Sequence, residues 1–427
     1  MKHFLSATSI GFAMSLALTG TAQAQNEYFS RDKYEAVTDR RQPDFDPNPV
    51  RVGAYSVLPY AEAGAEYETN VFALEEDEEG DTVIFLGAGV RADSNWSRHD
   101  LSLFANTRYN EYLDFSDNSA ANTTIGANGR IDVTRGFSLA PRVAFSDLVE
   151  QRGDFAGAQG LAEPIQSTRL NAGLDADYST GRFRFSAGGS IAEADFDDTA
   201  LLETTGELDQ DFRDQTTTEG RVQATYAVNP NFAVFAQATA SQADYDETVL
   251  IDSIERDRDR DQYTVRAGAD FELNALLRGN VGVGYFESDV EDEFFQDTDG
   301  LSVDASVTWF PSRITNVIFT GRRGVVDFGL IEAASAVQTA YGARVVHELR
   351  RNIVLGAGVN YSEEEYEDVD RTDDRINFSA DATYKLNPHV HFQGFARTVS
   401  RDTSGADENL GRAFDNQVVG VSVRLFP

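Results

Sequence analysis

Cysteine is absent from the 427 residues, which excludes a disulfide framework and thiol chemistry. Basic residues are scarce: 36 Lys and Arg stand against 71 Asp and Glu, a formal net charge of -35. Such a chain repels nucleic acid and offers no broad basic patch to anionic lipid head groups. Past the N-terminus there is no run of 18 apolar residues, so no membrane-crossing helix is expected. Histidine is rare as well, with five in the chain. What is plentiful argues against disorder, because 29 Phe, 16 Tyr, 34 Gly and 41% hydrophobic residues are foreign to chains that cannot build a core.

From about Val57 to the end, a unit of about 40 residues recurs eight or nine times. Each unit holds two runs of alternating apolar and polar residues, joined by a long acidic segment and followed by a tight turn. Thr168 to Tyr178 places an apolar group at every second position, the period of a strand with two different faces. Tight turns are expected near Asn95, Arg135-Gly136, Thr180-Gly181, Asn229–Asn231, Asn274–Gly279, Pro311–Arg313, Arg350–Asn352 and Asn387-Pro388. Between them lie long connections, among them 147–167, 195–214, 244–261, 287–299 and 362–374. The expected fold is all-β: a transmembrane up-and-down antiparallel barrel of about 18 strands, or 16 as the alternative. Its short turns would be periplasmic and its long loops extracellular.

Three domains follow. Residues 1–24 read as a secretory signal, with Lys2, the apolar stretch Phe4–Leu18 and the small-x-small site Ala22-Gln23-Ala24. Residues 25–56, carrying Pro43, Pro47 and Pro49, suit a periplasmic tail or a plug. Residues 57–427 form the barrel. A backbone bathed in lipid must satisfy its hydrogen bonds by closing its sheet, with apolar side chains outward. The expected outward set includes Leu170, Leu174, Tyr178, Val222, Tyr226, Val265, Leu355 and Val359. A soluble sandwich would show the same alternation around a core, but two loop-length classes and aromatics at strand ends favour the barrel. Trp96, Trp309, Phe137, Phe183, Phe232, Phe310 and Tyr384 form the expected girdle on the turn side. Tyr109, Tyr112, Phe145, Tyr245 and Phe286 form the one opposite.

At residues 43–72, the pattern Pro43, Asp46-Pro47, Arg51-x-Gly53-x-Tyr55, Leu58-Pro59 and Tyr67-x-x-Asn70-Val71-Phe72 resembles the leading segment of outer-membrane β-barrel porins of alphaproteobacteria. The resemblance implies a Gram-negative outer-membrane barrel over nearly the whole chain. It also implies a role in exopolysaccharide export, because members are found beside exopolysaccharide genes. At the C-terminus, Val419, Val421, Val423 and Leu425 set the lipid phase, whereas Phe426 is out of step and Pro427 follows. This departs from the terminal aromatic that barrel-assembly machinery commonly reads.

The chemistry points to a channel rather than an enzyme. Arg169, Arg184, Arg221, Arg266, Arg344, Arg375 and Arg397 are expected to face a lumen shared with Asp175, Asp177, Asp270 and Asp381. Opposed charges on a pore wall orient polar solutes and set ion preference, although they can equally just solvate and cross-link the wall. His99, His347, His389 and His391 all map to the periplasmic end, where no rim catalysis would use them, and the His389/His391 pair does not make a metal site. About half the carboxylates lie in five loops, whose ordinary role is solvation. Weak Ca2+ or Mg2+ association there, with bridging to lipopolysaccharide, is the alternative, and Asp257-x-Asp259-x-Asp261 only superficially matches a calcium loop. No other cofactor is expected. The leading function is a polar, charged channel for small solutes or ions; the alternative is a component of exopolysaccharide export or envelope structure. Outer-membrane lipid, lipopolysaccharide, assembly machinery and export components are the expected partners.

Overall fold

The computed structural model describes residues 27–29, 35–150, 152–153, 161–200, 207–274, 276–327 and 329–427. The expected secretory signal, residues 1–24, lies outside the described residues. Eighteen antiparallel strands form one closed ring, as the larger of the two expected strand numbers required. They are β1 Tyr55–Glu68, β2 Asp81–Ser94, β3 Asp100–Tyr112, β4 Ala120–Thr134, β5 Phe137–Val149 and β6 Gln166–Thr180. Next come β7 Phe183–Phe196, β8 Gln215–Asn229, β9 Phe232–Tyr245, β10 Arg260–Leu273, β11 Leu277–Val290 and β12 Thr298–Ser312. The ring ends with β13 Thr315–Val326, β14 Ala336–Arg350, β15 Ile353–Tyr366, β16 Thr372–Asn387, β17 Val390–Ser404 and β18 Phe414–Leu425. Each strand pairs with its chain neighbours, and β1 closes on β18 from Ala61 opposite Leu425 to Glu68 opposite Val418.

Turns at one end are short and loops at the other are long, so the expected polarity holds. Gly136 makes the β4–β5 turn with φ of 87°, and a Cβ there would sit 2.5 Å from the Ser179 carbonyl oxygen. Asn274 (φ 52°) starts the β10–β11 turn in the same left-handed region. At the loop end several strands run further than the sequence suggests: Glu363, Glu364 and Glu365 belong to β15 and Asp374 to β16. Ladder hydrogen bonds carry these acidic ends beyond the apolar band.

Period-two alternation sorts the two faces. Leu170, Leu174, Tyr178, Val222, Tyr226, Val265, Val419, Val421 and Leu425 are exposed on the outside. In this all-strand ring that exposure is to lipid. Inward rings settle over inward glycines: a Cβ on Gly64 would lie 2.3 Å from the Phe85 ring, and one on Gly126 2.5 Å from Phe104. Each such ring lies flat on the wall and locks the register of its strand.

The turn-side girdle is mostly as expected. Trp96, Phe183, Trp309 and Tyr384 are exposed, and Phe137 and Phe232 lie in the same phase, Phe137 opposite Tyr178. Phe310 is an exception; it directly follows outward Trp309 and so takes the inward parity of β12, where it is buried beneath Arg278. At the other end Tyr109 and Phe145 face out. Tyr112, Tyr245 and Phe286 face in instead, because each occupies the inward parity of its strand. Tyr112 donates to Glu68 at 3.2 Å, Tyr245 is bonded to Asp327, and Phe286 is 1% exposed. Tyr67, Tyr263 and Tyr285 take their places in the outer band.

Candidate functional site

The inner wall is a belt of arginines bonded to carboxylates and amides. On β5, β6 and β8, the Asp175 carboxylate is shared by Arg142 and Arg221, the latter at 3.0 Å. On β10, Arg266 donates to Ser302 Oγ at 2.7 Å and to Gln237 at 3.4 Å. Arg344 on β14 reaches across β15 to Asp381 on β16. At the seam, Glu66 of β1 receives Arg108 of β3 at 3.0 Å and Arg397 of β17 at 3.7 Å. Arg424 and Asn416 of β18 bond Glu62 and Glu68 of β1 at 2.5 and 2.6 Å. Polar side chains therefore staple the point where the chain's two ends meet.

The other sequence-selected residues also face inward but at the rims. Asp177 accepts a bond from Ser186 Oγ at 2.6 Å, and Arg184 lies over the Phe29 ring at 4.3 Å. Arg169 lies 5.8 Å from the Phe196 ring near the outer end. Asp270 shares the phase of Arg266 on β10. Arg375 donates to the Gly153 carbonyl at 2.5 Å, tying the β5–β6 loop to β16 across the mouth.

Sequence reasoning left the leading segment open between tail and plug. Its described residues lie against the periplasmic rim at widely separated places. Phe29 sits under Arg184 of β7, on the far side of the ring from β16. Val37, buried, donates its N–H to Asn316 of β13 at 2.9 Å. Arg40 and Gln42 both donate to Glu348 of β14, at 3.0 and 3.3 Å. Asp46 pairs with Lys385 of β16 at 2.5 Å, and the Phe45 carbonyl lies 2.9 Å from His391 Nε2 on β17. A short strand, Val50–Val52, then pairs with the start of β1.

Loops at the outer end interlock, which no periodicity could announce. Arg258, fully buried, donates to the carbonyls of Phe212 and Leu330 and lies 5.3 Å from the Phe212 ring and 4.4 Å from that of Tyr245. Burial alone would raise Asp327, but Arg258, Arg260 and the Tyr245 hydroxyl hold its carboxyl below the usual range. Two apolar clusters fill the space beneath: Phe212, Val249, Phe295 and Ala334, and Leu330, Ala333, Ala336 and Tyr366. At the rim, buried Asp373 takes charge-assisted bonds from Arg371 and Arg401. Asn70, fully buried, ties the first loop to β18 through the Asp415 carbonyl at 2.9 Å, which gives the Tyr67–Phe72 motif a physical reason. Asp257 and Asp259 gather with Glu291; Asp261 is already part of β10, so the apparent calcium spacing breaks at the strand edge.

The family described as "Putative beta-barrel porin 2" matches residues 42–426. The chain belongs to this family. As an 18-strand barrel of a porin family, this porin resides in the Gram-negative outer membrane. No curated protein matches its sequence. Solved structures similar to it include the outer membrane protein OpdK of Pseudomonas aeruginosa, at 9% identity and TM-score 0.45, covering 87% of this chain and 99% of that one. OccAB3 of Acinetobacter baumannii is similar at 11% identity and TM-score 0.45, covering 88% and 100%. A BenF-like porin of Pseudomonas fluorescens Pf-5 is similar at 10% and 0.43, covering 87% and 99%. Likeness this distant carries no property from those proteins to this porin.

The acidic loops of the porin carry a pH dependence. Asp214, just before β8, is pushed up to about 6 by burial and by Asp195, Asp211 and Asp246, against the Phe196 N–H that bonds it. A raised carboxyl favours the protonated form in the folded loop. The loop is therefore tightest at low pH and loosens as pH rises from the ordinary carboxylate range through about 6. Limited proteolysis of the 197–214 loop should be faster at pH 7.5 than at pH 5, relative to a reference peptide, and Asp214→Asn should flatten the difference. Equal rates in the unaltered protein would refute it.

Proposed function

We propose that this porin is a passive channel for small polar solutes and ions, with residues 35–49 acting as a removable cover over its periplasmic mouth. The observation that supports it most directly is the inner wall itself. Charged side chains from β3, β5, β8, β13, β14 and β16 point into a ring of 18 strands, a size at which the interior holds water rather than a packed core. Arg221, Arg322, Asp304 and Arg344 remain substantially exposed inside that ring, and charges hold such exposure only where water reaches them. The cover rests on polar bonds to four strands rather than on a broad apolar interface, and this suits a segment that leaves and returns.

Planar bilayers provide the test. Purified porin should insert in discrete conductance steps that scale with salt concentration. Verified insertion with no current, both in the unaltered protein and in a variant with residues 27–46 removed, would refute the channel reading.

A further inference from the structure

The inner wall carries two arrangements in which one carboxylate serves two arginines. Asp175 is shared by Arg142 and Arg221, and Glu66 by Arg108 and Arg397. A third pair, Arg344–Asp381, and Arg266 on its neutral partners Ser302 and Gln237 complete the belt. The acid is the more deeply set member throughout. Asp175 is 21% exposed against 32% and 43% for its arginines, Glu66 is 7% against 29% and 23%, and Asp381 is 22% against 41% for Arg344. The Arg322–Asp304 pair is even, and the order reverses toward the two ends of the wall, at Arg91–Asp93 and Arg130–Asp132 on the periplasmic side and at Arg323–Glu365 on the outer side.

Stoichiometry and depth act in the same direction. A carboxylate divided between two guanidiniums leaves a surplus positive charge at the Asp175 cluster, whereas at the seam Glu68 joins Glu66 in facing Arg397, and the surface the lumen meets is guanidinium. Guanidinium presents a planar fork of donors that matches a carboxylate two bonds at a time. The chain's acidic surplus lies in the outer loops, where salt screens exposed charge over about 10 Å at 0.1 M and about 3 Å at 1 M.

We propose that this belt makes the channel anion-preferring, with small carboxylate-bearing solutes as its favoured class, despite the chain's net charge of -35. The proposal rests on the channel reading above and names the solutes that reading leaves open. Arg221 and Arg142 set the preference, holding a transient carboxylate beside Asp175 as it passes.

Reversal potentials across a tenfold KCl gradient test it, followed by the same gradient of potassium gluconate. The unaltered porin should favour chloride over potassium and should pass gluconate. Arg221→Gln with Arg142→Gln should lower the anion-to-cation permeability ratio by roughly threefold or more, since wall charge governs selectivity in pores of this kind. Arg221→Lys should retain most of it. Arg344→Gln offers an independent second site, and the heat-modifiability of each variant verifies its fold. A cation-preferring unaltered channel, or a ratio unmoved in folded variants of both sites, would overturn this proposal while leaving the channel reading intact. No current at all would overturn the channel reading and this proposal with it.

Discussion

Replacing Glu348 with alanine raises the current through each channel. Both Arg40 and Gln42 end on its Oε2, at 3.0 and 3.3 Å, and no other wall residue receives two side chains of the leading segment among the described residues. A hydrogen bond to a charged group contributes about 1.5–3 kcal/mol. Losing it shifts the seated-to-released ratio of the segment by roughly 10- to 100-fold at 1.4 kcal/mol per decade. Residues 36–46 keep their bonds to Asn316, Lys385 and His391, so Glu348→Ala should produce flickering between two conductance levels rather than a permanently open state. Deleting residues 27–46 should leave only the higher level, at least about twice the lower, because a ring of this size is wide once its mouth is clear. Identical single-channel currents in all three proteins would show that the segment does not obstruct the mouth.

Replacing Arg258 with methionine releases the outer loops. Methionine fills similar space, so the change tests bonds rather than volume. It strands the Phe212 and Leu330 carbonyls and leaves the half-buried Asp327 with Arg260, the Tyr245 hydroxyl and the Gly329 N–H. Removing one partner from a buried ionic arrangement costs about 3–5 kcal/mol, or roughly two to four decades in local opening. Hydrogen exchange in the 207–214, 246–259 and 329–335 segments should accelerate accordingly, while β1–β7 stay protected. Unchanged exchange would place the strength of the cap in the apolar clusters around Phe295 and Leu330 rather than in this guanidinium.

The barrel was legible because lipid enforces a rule at every second residue. Leu170, Leu174 and Tyr178 could face outward only if Arg169, Asp175 and Asp177 faced inward, and Asn, Gly and Pro marked the tight turns. The rule weakens where lipid ends. Tyr112, Tyr245 and Phe286 stand toward strand ends beneath the loops, where a tyrosine hydroxyl finds a carboxylate inside, as Tyr112 does at Glu68 and Tyr245 at Asp327. Phe310 could not join the girdle because it directly follows outward Trp309, so the alternation itself turns it inward. The lumen residues were identified by phase, but their partners were not. Glu66 meets Arg397 only because β1 closes on β18, and Asp175 gathers two arginines only through a register of four strands. Arg142, Arg108 and Glu66 were missed for the same reason, since an isolated charge on a strand gives no sign of its cross-strand neighbour. The buried arginines of the cap, Arg258 and Arg371, looked like ordinary loop charges.

The docking place of the leading segment bears on the order in which the molecule is built. Val37, Arg40, Phe45 and Asp46 are emitted first, yet their partners Asn316, Glu348, Lys385 and His391 belong to the last third of the chain. His391 in turn packs 4.9 Å from the Phe426 ring, which rests 6.4 Å from Tyr60 on the first strand. The segment thus lacks its partners until β13 to β17 are in place, and contacts so remote in sequence form late. In an unfinished barrel these residues stay unseated, whereas the completed ring holds them against four of its strands.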